Sequence, residues 1–186
     1  TDAIIDQVDF VLGEHSLADI GYKALAINLS DIAAMGGTAT AALVNLSLPS
    51  RRATETAAGV YEGILEAAQQ YGVAIAGGDL SVYDGPLAIS ITLLGHVPRG
   101  GAWLRSGAQE GDALVVSGSL GGSLMGRHLR PLPRLDLARE LRGLVAVHAA
   151  MERIRCALCT TKISPALHRA GAGARPRGAA DRSRAR

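Results

Sequence analysis

Aromatic residues are scarce in this chain, with one Phe, one Trp and four Tyr among 186 residues. A core must therefore come from Ala, Val, Ile and Leu, with the 23 glycines supplying tight turns between elements. Cysteine is limited to Cys156 and Cys159, a lone CxxC with neither a second pair at zinc-site spacing nor a redox βαβ context. Two reduced thiols are the reading that follows. No run of 18 apolar residues is present, and the start lacks a charged segment followed by a hydrophobic signal stretch. A membrane span and a secretory leader are thus not expected, and the cytoplasm is the default location.

Acidic residues are missing from the end of the chain: after Glu152 only Asp181 occurs, among many arginines. The net charge of +2 is therefore a property of the tail. No recognition motif or interleaved aromatic accompanies that basic stretch, so nucleic-acid binding is not expected. The five histidines show no metal-ligand spacing, and the glycines at 118, 121, 122 and 126 lack the lysine of a P-loop. An initiator Met is absent too, and the chain is expected to open inside a strand with its true beginning missing.

What is present reads as alternating elements. Residues 3–11 mix apolar positions in a pattern suited to a strand. Ser16 caps a helix whose apolar surface runs from Leu17 to Met35 and ends at Gly36-Gly37. Thr38–Leu48 is β-rich and closes at Pro49, and Thr54–Tyr71 has helical spacing ended by Gly72. Val73–Ala76 reads as a short buried strand delivering Gly77-Gly78-Asp79 at its end, with further strands at Leu87–Leu94 and Ala113–Ser117. A glycine-rich turn over 118–126 leads into a possible helix, and residues 135–154 are compatible with another. The order predicts an α+β (mixed α/β layer) fold, a sheet with helices packed on one face. Residues 1–130 are expected to form one domain and 131–186 a degenerate tail, disordered from 169 onward because it has almost no large apolar side chain to bury.

Three segments place an acid beside small residues at the end of an apolar element: Thr1-Asp2, Ser30-Asp31 and Gly77-Gly78-Asp79. Carboxylates brought together repel unless a cation neutralises them, and hard Mg²⁺ prefers carboxylate, water and phosphate oxygens. Taken singly, Asp31 could merely bond nearby backbone and Asp79 could merely end a turn. Arg105 can clamp a phosphate or make a surface ion pair. Tyr61 or Tyr71 can stack on a base or pack half-buried.

The run Gly21-Tyr22-Lys23-Ala24-Leu25-Ala26-Ile27-Asn28-Leu29-Ser30-Asp31-Ile32-Ala33-Ala34-Met35-Gly36 resembles the hallmark helix of bacterial thiamine-phosphate kinases, of the aminoimidazole ribonucleotide synthetase-like superfamily. Tyr71-Gly72-Val73, Gly77-Gly78-Asp79, Leu94-Gly95, Arg105-Ser106-Gly107-Ala108 and Gly111-Asp112 follow in the same order. Selenophosphate synthetase is nearest among the wider relatives at Ser30-Asp31 and Met35-Gly36-Gly37. The resemblance covers about residues 1–130. It implies an N-terminal domain of the synthetase-like kind in a homodimer that uses ATP and Mg²⁺ to phosphorylate thiamine monophosphate. By matching position it assigns Thr1, Asp2, Asp31 and Asp79 to Mg²⁺, Gly78, Asp79 and Arg105 to ATP, and Tyr61 to the adenine side. The alternative it leaves is an inactive nucleotide-binding or dimerisation remnant, or a related synthetase.

Three departures qualify the resemblance. Asp9 stands in Val8-Asp9-Phe10 where the family carries a substrate-contacting His, which puts an acid next to an anionic substrate. An acidic segment expected ahead of the first strand is absent. After about Ala149 a Cys- and Arg-rich sequence replaces an acidic segment and a second domain, as a shifted reading frame would produce.

Overall fold

The computed structural model describes residues 1–118, 127–144, 147–151 and 160–163. Its main body is a four-stranded sheet in the order β1-β4-β2-β3, formed by β1 (Asp2–Ile5), β2 (Thr38–Pro49), β3 (Ala74–Tyr83) and β4 (Ala88–His96). Strands β2 and β3 run parallel and are joined through helix α2 (Ala53–Tyr71), while β4 is antiparallel to both β1 and β2. Alternation along the strands puts Ile4, Ala42, Val44, Leu46, Leu48, Leu87, Ile89 and Ile91 on one buried face. Against that face lie Ile20, Leu25, Ile27 and Leu29 of helix α1 (Leu17–Ala34) with Val60 and Ile64 of α2. Helices thus cover one sheet face, as the sequence predicts.

Helix α1 begins where Ser16, in extended conformation, accepts a hydrogen bond from the Asp19 N–H at 3.0 Å. It stops at Met35, because Gly36 takes the left-handed conformation at φ +66° that an L side chain resists. The helix is buried nearly all round: α2 crosses it so closely that a methyl group on Gly21 would strike the Val60 carbonyl, and one on Gly63 the Ala18 carbonyl.

Beyond the sheet come a 3₁₀ turn (Arg105–Gly107), strand β5 (Ala113–Val116), helix α3 (Leu135–Leu144) and strands β6 (Val147–Met151) and β7 (Thr160–Ile163), the last three strands forming a second sheet in the order β5-β7-β6.

Three sequence-based boundaries differ. The strand expected over 3–11 ends at Ile5, because the Asp9 carboxylate takes the Ile5 N–H at 3.0 Å and Gln7 turns the chain at φ +68°. Strand β3 is not a short buried strand but ten residues of exposed edge. The helix expected over 135–154 stops at Leu144, with Val147–Met151 in a strand. The possible helix after Gly118 and the disorder expected from 169 lie outside the described residues.

Candidate functional site

Of the four expected metal ligands, Thr1 and Asp2 lie at the β1 edge of the sheet, Asp79 at the β3 edge and Asp31 on helix α1. At the β1 edge, the Thr1 hydroxyl donates to the Ile91 carbonyl and accepts from the Thr92 hydroxyl, both at 3.1 Å, fixing the start of the strand. Asp2 pairs with Ile91 and lies two residues before buried Ile4, so it projects from the helix-covered face. Thr38 opposite His96 sets the end of β4 beside the beginning of β2, and hence beside the end of α1. Asp31, exposed in the last turn of α1, continues the stripe of buried Ile20, Ala24 and Ile27 toward that same end. Asp2 and Asp31 thus lie on the helix-covered side of the sheet, with Asp2 level with Val44, midway along β2, and Asp31 nearer the beginning of that strand.

Asp79 sits elsewhere, and a bulge decides where. Ala42 faces Ile75, but Leu43 faces Gly77, so Ala76 is an extra residue in β3. Without it Asp79 would oppose Leu46, which is buried; with it Asp79 opposes Asn45 on the uncovered face. The Ser81 hydroxyl donates to its carboxylate at 3.2 Å. Gly77 and Gly78 make the bulge possible at φ +156° and +150°, and a side chain on Gly78 would collide with the Val44 backbone. In register, Asp2 aligns with Ile91, Val44 and Gly78, so three strand spacings of about 4.8 Å, roughly 14 Å, separate the two edges. Among the described residues no three His, Cys, Asp or Glu side chains gather in a group able to hold a metal ion.

Arg105 is exposed in its 3₁₀ turn, two residues after Trp103, which is docked on the end of α1. Tyr61 lies on α2, half-buried against the main core. Asp9 closes the turn after β1 with its carboxylate on the Ile5 N–H, while its carbonyl receives the Lys23 ammonium and lies 3.0 Å from His128 Nε2. Lys23 is 3% exposed and 3.3 Å from that imidazole. Burial, with the adjacent ammonium, holds the His128 pKa below its usual value. Next to it Arg130 stacks 4.5 Å above the Tyr22 ring and pairs with Asp19 and Glu66, tying residues 127–130 to both helices. The Asp19 carboxyl is held below the usual range, first by the Ser16 hydroxyl and then by Arg130. Sequence reasoning missed Trp103, Lys23 and His128. A lysine inside an otherwise apolar helical run was the one available signal for Lys23.

Residues 1–97 match the family model described as AIR synthase related protein, N-terminal domain. The chain belongs to this family. Its AIR synthase related domain is similar to the thiamine-monophosphate kinase of Rhodopirellula baltica, 66% identical over 152 residues, which is 82% of this chain and 48% of the relative. The Bacillus subtilis thiamine-monophosphate kinase is 36% identical over 160 residues, 74% of this chain and 49% of that one. Among solved structures, the thiamine monophosphate kinase of Aquifex aeolicus superposes with a TM-score of 0.74 at 29% identity, covering 81% of this chain and 56% of its own. A structure described as AaThiL complexed with AMPPCP and TMP gives the same TM-score and identity, with 81% and 53% covered. The chain spans about half the length of the relatives it matches. The resemblance read from residues 21–36 and the helix-on-sheet fold are both borne out.

Proposed function

We propose that this chain is the nucleotide- and magnesium-binding part of a thiamine-monophosphate kinase, which transfers the γ-phosphoryl group of ATP to thiamine monophosphate and works as a homodimer in the cytoplasm. The observation that carries this reading is the 66% identity to a thiamine-monophosphate kinase across 82% of the chain. The chemistry of the residues agrees with it. Thr1, Asp2 and Asp31 offer hard oxygen donors, a set of the type that Mg²⁺ prefers. Asp79 carries the same donor type but lies on the opposite edge and face, out of reach of an ion held by Asp2. A second copy resolves this: Asp79 of one subunit completes the site that Thr1, Asp2 and Asp31 begin in the other. The uncovered sheet face, with Leu43 and Leu94 exposed, supports such pairing.

In this reading Gly78 lets the nucleotide approach the backbone, Arg105 pairs with phosphate oxygens, and Tyr61, half-buried, borders the adenine. Bound Mg²⁺ would neutralise phosphate charge. No protein base is needed, since the acceptor phosphate oxygen is already ionised at neutral pH; the residues have only to align two anions that repel each other. Asp9 is assigned to the substrate side, but its carboxylate is turned onto the Ile5 N–H.

Calorimetric titration with a non-hydrolysable ATP analogue, with and without Mg²⁺, tests the reading. Magnesium-dependent binding that disappears in Asp31→Asn is expected, followed by a thiamine monophosphate signal on the loaded protein. A folded sample that binds neither would be an inactive remnant and would sink the proposal.

A further inference from the structure

Trp103, the chain's only tryptophan, lies outside the main core. It is 8% exposed and forms a small separate cluster with Ala33 and Ala138, flanked by Leu135 and Leu141. Two contacts fasten it to the end of α1. Its backbone N–H donates to the Met35 carbonyl at 3.1 Å, satisfying one of the acceptors that a helix leaves unpaired at its C-terminus. Its indole ring rests on Gly36, where an added Cβ would lie 2.9 Å from ring atoms Cδ2 and Cε2. Gly36 is thus required twice, for its φ of +66° and for the space the ring occupies.

The same contact ties together two residues far apart in sequence. Met35 N–H donates to the Asp31 carbonyl at 3.1 Å, and the Met35 carbonyl accepts from Trp103. Two residues later comes Arg105. Two backbone hydrogen bonds therefore join the carboxylate-bearing turn of α1 to Trp103, and two residues of chain carry on from there to the guanidinium-bearing 3₁₀ turn. An arginine on an exposed connection would otherwise be free to wander relative to the helix.

We propose that Trp103, seated on Gly36, is a positioning residue that holds the phosphate-binding Arg105 in fixed relation to the metal-binding Asp31. This rests on the nucleotide reading given above. It explains why a large apolar side chain is buried at this point, away from the main core: the ring fixes where a polyphosphate can meet both the arginine and the cation.

Gly36→Ala tests the idea without altering Asp31 or Arg105, and it keeps the tryptophan as a fluorescent reporter. Binding of a magnesium-loaded, non-hydrolysable ATP analogue to the full chain is measured by calorimetry. Gly36→Ala and Trp103→Leu are each expected to weaken binding about tenfold, as a small misplacement of a binding group does. Trp103→Phe, which retains a ring, is expected to restore most of it. In an Arg105→Ala background, Gly36→Ala should have little further effect, because the group it misplaces is gone. Tryptophan emission should shift as the nucleotide saturates the wild type. Wild-type affinity in folded Gly36→Ala or Trp103→Leu protein, or losses that multiply in the double variant, would overturn the positioning role and leave the nucleotide site standing. Absence of nucleotide binding by the folded wild type would instead overturn the function on which the role depends.

Discussion

The two edges of the main sheet differ in almost every respect. At one, β1 is four residues long and its Asp2 lies on the helix-covered face. At the other, β3 is ten residues long, exposed along nearly its whole length, and directs Asp79 to the uncovered face. Among the described residues no strand pairs with the outer side of the long edge, which carries Leu80 and Val82 exposed, a surface suited to a partner. The difference teaches that similar acidic groups in one chain need not face one site: Asp2 and Asp79 stand on opposite edges, and the bulge at Ala76 is what turns Asp79 to the other face.

The strongest way to break this comparison is to disable each edge in turn. In the proposed site, Asp2→Asn and Asp79→Asn should each lower kinase activity by about a thousandfold, since each would remove a charge from the metal's ligand set. If the two acids come from different copies, mixing and re-associating the inactive variants in equal amounts restores about a quarter of the wild-type sites, because half of the dimers are mixed and each has one intact site. No recovery in a sample proven to exchange subunits would place both acids in the same copy's chemistry and end the two-edge account.

The scaffold shared by both edges gives the next largest effect. Gly63→Ala drives a methyl group into the Ala18 carbonyl at the helix crossing, where backbone rather than a pliable side chain must yield. A loss on the order of 3 kcal/mol is expected from such overpacking, read as a lower urea midpoint with an unchanged slope. Gly78→Ala acts on one edge only. Its collision with Val44 should cost about 2 kcal/mol and free the second half of β3, shown as faster amide exchange over Asp79–Tyr83 with Asp2–Ile5 still protected. Equal loosening of both edges would show that they do not behave separately.

Much of the scaffold was legible because local chemistry and tertiary packing agree. Ser16, the apolar run to Met35 and Gly36-Gly37 bound α1 in sequence as they do in space. Strand β3 was misread because Gly77-Gly78 looks like the end of an element, whereas pairing with β2 carries the chain through both glycines as a bulge. No local signal reveals which edge a strand will occupy, so the separation of Asp2 from Asp79 was invisible in one dimension. Trp103 belongs to no motif; its meaning arises only when the chain returns to the end of α1.

The smallest expected effect sharpens the comparison from the β1 side. His128 reaches back over the turn that follows β1, with its Nε2 3.0 Å from the Asp9 carbonyl and 3.3 Å from the Lys23 ammonium, and the His15 ring packs edge-on at 6.5 Å. Burial first, and then the charge on Lys23, keep its folded-state pKa below the ordinary 6.5, with Asp9 opposing in part. The neutral imidazole is therefore the form the fold favours. Its contribution to stability is complete above about pH 6.5 and is lost as pH falls through the lowered folded-state value. Because the ring remains partly in water, the change should stay below about 1 kcal/mol. His128→Gln, which cannot take up the proton, should flatten that pH dependence between pH 7 and 5 while leaving exchange at β3 unchanged. A variant that retains the wild-type slope would show that another group titrates there, and that the imidazole merely fills space above the turn.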